Sequence, residues 1–405
     1  MKLTPIFTSL MENDLYKFNM GNVIFKRFND YTTTWSFKCR NNDVKFTDEM
    51  IQEIKDQFNH YCTLSFTDEE LNWLKINLPW LSVGYINYLK FWKPVRNEVK
   101  INEDGIASYN DCGLAIEANG TWLNTSMYEI PLLAIVNEVY FAFKYGVNAK
   151  DEIFKEKTIE KVNRIKRDLV IGPFSEFGMR RRLSATTQDW LIKYLVESKA
   201  PKFVGTSNVY LAKKYGIKAI GTMAHEFIQC IGQGNPKYNA AYSNYFVMKT
   251  WTDEYQTRNG IYLTDCIKTD TFLKDFDLTY ATLFSGVRHD SGNPFEWADK
   301  ILNHYKKLGI DPKTKTLLFS DSLNFEKAAE LYEEYEGKCH VAFGIGTYLA
   351  NDTDVKPLNI VMKVTKCNNL SVAKISDVEG KCMCRDTEYL DYLNRCIKWR
   401  LEHEK

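Results

Sequence analysis

The chain has 405 residues, of which 44% are hydrophobic and 26% charged, so it is globular, long enough for two domains, and neither disordered nor fibrous. Its 53 Lys plus Arg nearly cancel its 52 Asp plus Glu. No global field therefore favours nucleic acid or an anionic membrane as partner, and any anion site has to be local.

Residues 1–10 lack the apolar core of a signal peptide, and the apolar stretch 130–145 is interrupted by Asn137, Glu138 and Lys144. It falls short of the ~20 residues that span a bilayer, so a soluble, cytoplasmic protein is expected. The ten cysteines stand singly apart from Cys382-Met383-Cys384, which reads as a metal-binding pair or as two strand thiols on one face.

The first third is mixed. Asn13 or Asp14 caps a helix carrying Leu15, Phe18 and Phe25, and residues 33–40 alternate with Trp35, Phe37 and Cys39 on one face of a strand. Thr47 opens a helix bearing Ile51, Ile54 and Phe58, and Thr67-Asp68-Glu69-Glu70 is a capping box before Leu71, Leu74 and Leu78. Residues 102–105 and Asn119-Gly120 read as turns, the latter as a hairpin.

From about residue 130 one unit recurs: a short apolar run, a polar tip, an amphipathic helix. The tips include Thr206-Ser207-Asn208, Ala224-His225-Glu226, Asp265, Arg288-His289-Asp290-Ser291-Gly292 after the strand-like run 282–287, Ser320-Asp321-Ser322 and Gly344-Ile345-Gly346-Thr347. Such alternation implies a parallel sheet, doubly wound or closed as a barrel, with its active face at the strand ends. The charges are expected at the tips and not in the strands.

Gly344-Ile345-Gly346-Thr347 suits a phosphate cradle or a tight turn, and it matches neither the dinucleotide fingerprint nor the P-loop. Arg288 suits a phosphate or carboxylate, and Asp290 suits ribose hydroxyls or magnesium. Asp265, Asp290 and Asp321, on three strand ends, converge on a magnesium site, a polyhydroxyl site, or the carboxylate pair of a sugar-binding or glycoside-cleaving barrel. His225 is either a structural imidazole or a nucleophile. Arg180, Arg181 and Arg182, after Phe177, are a solvated run or a cluster aimed at a phosphorylated ligand.

Taken in order, Glu12-Asn13-Asp14-Leu15-Tyr16-Lys17-Phe18, residues 174–182, Gly221-Thr222-Met223-Ala224-His225-Glu226, residues 286–294, Phe319-Ser320-Asp321-Ser322, residues 343–347 and residues 355–361 resemble the nicotinate phosphoribosyltransferases of bacteria and fungi over nearly the whole chain. The resemblance implies an irregular α/β barrel (residues 131–365) and an N-terminal α+β domain (1–130) completed by the C-terminal tail (366–405). It implies condensation of nicotinate with phosphoribosyl pyrophosphate to nicotinate mononucleotide, in NAD salvage, with Mg2+ and coupled ATP hydrolysis. It casts His225 as a phosphorylated histidine, Phe177 and Tyr16 as rings about the pyridine, and Arg180 and Arg288 as arginines near base and phosphates. Asp265, Asp290 and Asp321 would handle ribose and magnesium-pyrophosphate, the first two as metal ligands. Gly344, Gly346 and Thr347 would hold the 5′-phosphate. Ser207 or Asn208 stands where related nicotinamide enzymes carry an Asp. A homodimer with shared sites is implied, Tyr16 and Lys363 coming from the partner.

Overall fold

The computed structural model describes residues 1–106, 111–377, 384 and 386–404, so Cys382 and Met383 lie outside the described residues. Among the described residues, twelve strands form two sheets: β1 (Thr32–Cys39), β2 (Val99–Ile101), β3 (Ile116–Thr121), β4 (Phe174–Glu176), β5 (Phe203–Thr206), β6 (Lys218–Ala219), β7 (Ile261–Leu263), β8 (Gly286–His289), β9 (Thr316–Phe319), β10 (His340–Ile345), β11 (Ile360–Cys367) and β12 (Leu370–Ser371). β4 to β10 make a parallel sheet in the order β6-β5-β4-β10-β9-β8-β7. It is an open, curled sheet with helices around it, and the Thr222 hydroxyl, just after edge strand β6, donates to Ile261 O on edge strand β7 at 2.8 Å. The segment carrying His225 thus spans the gap an ordinary barrel would close with strand pairing.

The second sheet, antiparallel, has the order β12-β11-β1-β3-β2. Trp35, Phe37 and Cys39 are all buried, as the alternation predicts. The expected division at residue 366 falls inside β11, which already pairs with β1 from Ile360. The C-terminal helix Thr387–His403 packs against the Ala240–Tyr242 turn and helix Thr269–Asp275, where Arg400 pairs with Asp275. Helix Glu129–Tyr145 lies between the sheets, touching β11 and the Met179–Arg181 turn. Its apolar stretch fills the core, and the buried Asn137 amide donates from Nδ2 to Arg182 O at 2.7 Å there. Among the described residues no helix is long and apolar enough to cross a membrane.

Local signals hold in several places. Thr47 caps helix Asp48–Tyr61, and both bonds of the Thr67/Glu70 capping box are present. Three expectations fail for physical reasons. Asn119-Gly120 is no hairpin turn: both lie within β3, opposite β1, and Gly120 is small because the Glu98 carboxylate occupies the space of a side chain. Residues 282–285 are not strand, because helix Leu278–Leu283 precedes β8. Charges do enter strands, as Glu176 in β4 and Arg288 in β8, where buried polar partners or the cavity receive them.

Candidate active site

A cavity of about 480 Å³ opens over the carboxyl ends of the parallel strands and is roofed by the antiparallel sheet. Tyr16, Phe177, Arg180, Ser207, His225, Arg288, Asp290, Asp321, Gly346, Thr347 and Lys363 all line it. Asp265 and Gly344 do not.

At one end stand Tyr16, Phe177, Ser207, Asp14 and Arg180. Phe177 follows β4, its N–H bonded to Ile345 O at 2.9 Å, and its ring lies where a side chain on Gly344 would be. Gly344 therefore leaves room for the ring. Gly346 packs closely against the Phe177 backbone at the start of the short Thr347–Ala350 helix, leaving its own surface to the cavity. Asp14 begins helix Leu15–Arg27 but makes no capping bond. Its carboxylate instead accepts from the Ser207 hydroxyl at 2.6 Å. Burial pushes the Asp14 pKa up, against the Ser207 bond and Arg180. Asn208 turns away, capping helix Val209–Tyr215 and donating to Gln188, so Ser207 alone of the pair faces the cavity.

The arginine run divides three ways. The Met179–Arg181 turn has 3₁₀ geometry, which sends successive side chains about 120° apart. Arg180 reaches into the cavity, Arg181 lines it while donating to Ile360 O at 3.2 Å, and Arg182 is buried against Glu12 at 3.0 Å. β4 itself was not legible, since three residues with a buried Glu176 give no strand pattern. Glu176 is held by Thr206 and Gln188 and by the Gly178 N–H, which ties β4 to β5.

At the other end, His225 begins helix His225–Ile228, and its Nε2 bonds Asp265 Oδ1 at 2.8 Å. Asp265 is only 1% exposed, and its second oxygen accepts from Lys374 Nζ at 2.8 Å and from the Ser291 hydroxyl. Burial raises the Asp265 carboxyl, but His225 and Lys374 outweigh it and hold the pKa well below the usual range. Burial and Lys374 push the His225 pKa down to about 4, so its imidazole is neutral near pH 7. Asp290, on the adjoining tip, has Oδ2 3.6 Å from His225 Nε2 and accepts from Ser320 at 2.9 Å. Burial raises it, while Arg288 and His225 bring its pKa below the ordinary value.

His225, Asp265 and Asp290 place ligand atoms within 4.8 Å of one another. Yet Asp265 already receives an ammonium, a hydroxyl and an imidazole, and a dication there would face Lys374 directly. Asp290 and Asp321 line the cavity from adjacent strands β8 and β9 and offer oxygen donors of the kind magnesium takes. Of the three acidic tips expected to converge, only Asp290 and Asp321 line the cavity.

Arg40 and Lys374 escaped the sequence reading. Arg40 ends the β1 alternation, and Lys374 is a lone cation in the apolar run Val372-Ala373-Lys374-Ile375, a signal that was available. With Lys363 they make the roof cationic, and Arg181 adds its charge from the Met179–Arg181 turn. Burial, then Lys374, pushes the Lys363 pKa down to about 8. Tyr16 and Lys363, expected from a partner subunit, line the cavity of their own chain. The antiparallel layer, folded over the strand ends, carries Lys363 there on β11.

An open parallel sheet with arginines, carboxylates and a glycine turn gathered over its strand ends defines an α/β enzyme with an anion-binding cavity. The nicotinate phosphoribosyltransferase family model matches residues 173–399, and the model of that family's N-terminal domain matches residues 11–137. The chain belongs to the nicotinate phosphoribosyltransferase family. It is 39% identical over 391 residues to a nicotinate phosphoribosyltransferase of Ralstonia pickettii, covering 96% of this chain and 98% of the relative. Among solved structures, a nicotinate phosphoribosyltransferase from Porphyromonas gingivalis superposes with a TM-score of 0.88 at 34% identity, covering 96% of this chain and 99% of that one. A putative one from Saccharomyces cerevisiae gives 0.87 at 31% identity, covering 100% of both.

Proposed function

We propose that the chain condenses nicotinate with 5-phosphoribosyl 1-pyrophosphate to nicotinate mononucleotide and pyrophosphate, with coupled ATP hydrolysis, in NAD salvage in the cytoplasm. The observation that carries this is one cavity holding the paired, neutral His225 at one end and the rings of Tyr16 and Phe177 beside Ser207 at the other.

Because His225 Nε2 donates to Asp265, the lone pair of the neutral imidazole is on Nδ1. Nδ1 attacks the γ-phosphorus of ATP, the N–P bond forms as the bond to ADP breaks, and Asp265, anchored by Lys374, stabilises the positive charge that develops on the ring. Arg288 and the roof cations hold the pyrophosphoryl group of the sugar substrate, and Gly346 with Thr347 holds its 5′-phosphate. Mg2+, held by Asp290 and Asp321, would neutralise charge on the departing pyrophosphate. Tyr16 and Phe177 orient the pyridine nitrogen toward the sugar C1, and attack proceeds as the C1–O bond breaks. Specific activity that collapses on dilution to monomer would support a homodimer with shared sites, and activity that persists in the monomer would overturn it.

The decisive assay follows product from nicotinate, phosphoribosyl pyrophosphate and Mg2+, with and without ATP, with nicotinamide as control. Formation of nicotinate mononucleotide, stimulated by ATP, is expected. Absence of nucleotide from either base would refute the proposal.

A further inference from the structure

In the cavity wall lies a group of charges that this chemistry does not use, Glu129 and Glu226 lining the cavity and Lys17 standing behind them. Lys17 is fully buried, with Nζ 2.7 Å from Glu129 Oε2 and 2.5 Å from Glu226 Oε2. Glu226 also accepts from the Ser126 hydroxyl, and the ammonium lies 4.9 Å from the Trp35 ring centre and 5.4 Å from that of Tyr16. Burial opposes the charge on Lys17, yet the two carboxylates hold its pKa above the ordinary value. Both carboxyls are pushed up by burial. Glu129, which also faces Arg180, is nevertheless brought down, while Glu226 stays raised.

Such buried pairs add little net stability over apolar residues of the same size, so stability does not account for this one. Each member adjoins a different working residue. Lys17 follows Tyr16 in the first turn of its helix, Glu129 Oε1 is 3.5 Å from Arg180 NH1, and Glu226 follows His225. The formal charges of Lys17, Arg180, Glu129 and Glu226 cancel.

We propose that Lys17 is a positioning residue that sets Arg180 and the His225 turn in one arrangement, aligning the base end of the cavity with the phosphoryl end. The inference rests on the function proposed above. Without the ammonium, Glu129 draws Arg180 down from the cavity, and Glu226 no longer pins the turn that begins with His225.

The test uses the full chain with Lys17→Met, Lys17→Arg, Glu129→Gln and Glu226→Gln. It reads KM for nicotinate, ATP hydrolysed per nucleotide formed, and thermal melting. Glu129→Gln is expected to raise KM for nicotinate about 10-fold, the loss of one charged hydrogen-bonding partner, with the ATP ratio at its wild-type value. Glu226→Gln raises the ATP ratio without moving that KM, Lys17→Met does both, and Lys17→Arg restores most of each. Variants that lower kcat or the melting temperature alone, with KM and ratio as in wild type, would show a purely structural network and overturn the inference. Should Lys17→Met not fold, the two Gln variants decide the matter in the same way. A wild-type chain that makes no nucleotide would instead overturn the function, and the inference with it.

Discussion

The two walls of the cavity are built on opposite plans. The parallel sheet supplies Phe177, Ser207, His225, Arg288, Asp290, Asp321 and Gly346 from strand ends and the turns just beyond them, where backbone pairing stops and side chains are free to converge. The antiparallel layer supplies Arg40, Lys363 and Lys374, which are cations carried on or beside strands against the cost of burial, together with Tyr16 from a helix. On the function proposed above, the first wall holds the reacting groups, and the second holds charge over them. The walls meet at Asp265, which takes His225 from one and Lys374 from the other. A site divided in this way depends on the packing of two sheets, so variants on each wall should fail differently.

The largest separation is expected from His225→Ala. It removes the ATP-dependent part of nucleotide formation, a loss on the order of 100-fold, while the chain keeps its affinity for phosphoribosyl pyrophosphate because the roof is intact. Equal losses with and without ATP would break the division. On the other wall, Lys374→Met leaves Asp265 buried without its ammonium and should destabilise the protein by about 3–5 kcal/mol in a urea titration.

The same variant carries a pH signature. His225 has a folded pKa of about 4 against an ordinary 6.5, so between these values the unfolded chain binds the extra proton and stability falls as pH falls. Removing the Lys374 charge raises the folded pKa and narrows that window. The acid limb of activity should move to higher pH, alongside the imidazole titration followed by NMR.

A smaller effect is expected where the walls meet the base. Ser207→Asp sets a second carboxylate beside Asp14, now 2.6 Å from the Ser207 hydroxyl, and should weaken kcat/KM for nicotinate about 10-fold. Unchanged nicotinate kinetics would remove Ser207 from base selection. Smallest of all, Gly344→Ala should raise KM for nicotinate a few-fold by displacing the Phe177 ring, with about the same KM for phosphoribosyl pyrophosphate. A change confined to the phosphate substrate would return Gly344 to the phosphate turn.

The first wall was largely legible because each strand end in a parallel sheet is a short, local signal. Arg288-His289-Asp290 and Ser320-Asp321-Ser322 announce themselves by putting charge or hydroxyls at the end of an apolar run. The second wall was mostly hidden. Arg40 reads as an ordinary polar end to β1, and Lys17 as a solvated helix position, until the fold buries it between two carboxylates. β4 was missed because its central place comes from pairing with β5 and β10, far away in sequence.

By itself, the sequence determined the parallel α/β character of the second half, the capped helices of the first, and the residue types at the strand ends. These follow from periodicity and caps, which act over a few residues. Tertiary structure alone decided that Asp265 holds His225 instead of facing the cavity, that Gly344 makes room for a ring, and that Tyr16 and Lys363 line the cavity beside the strand ends. Each of these depends on which neighbour fills the space beside a side chain, and those neighbours come from distant parts of the sequence.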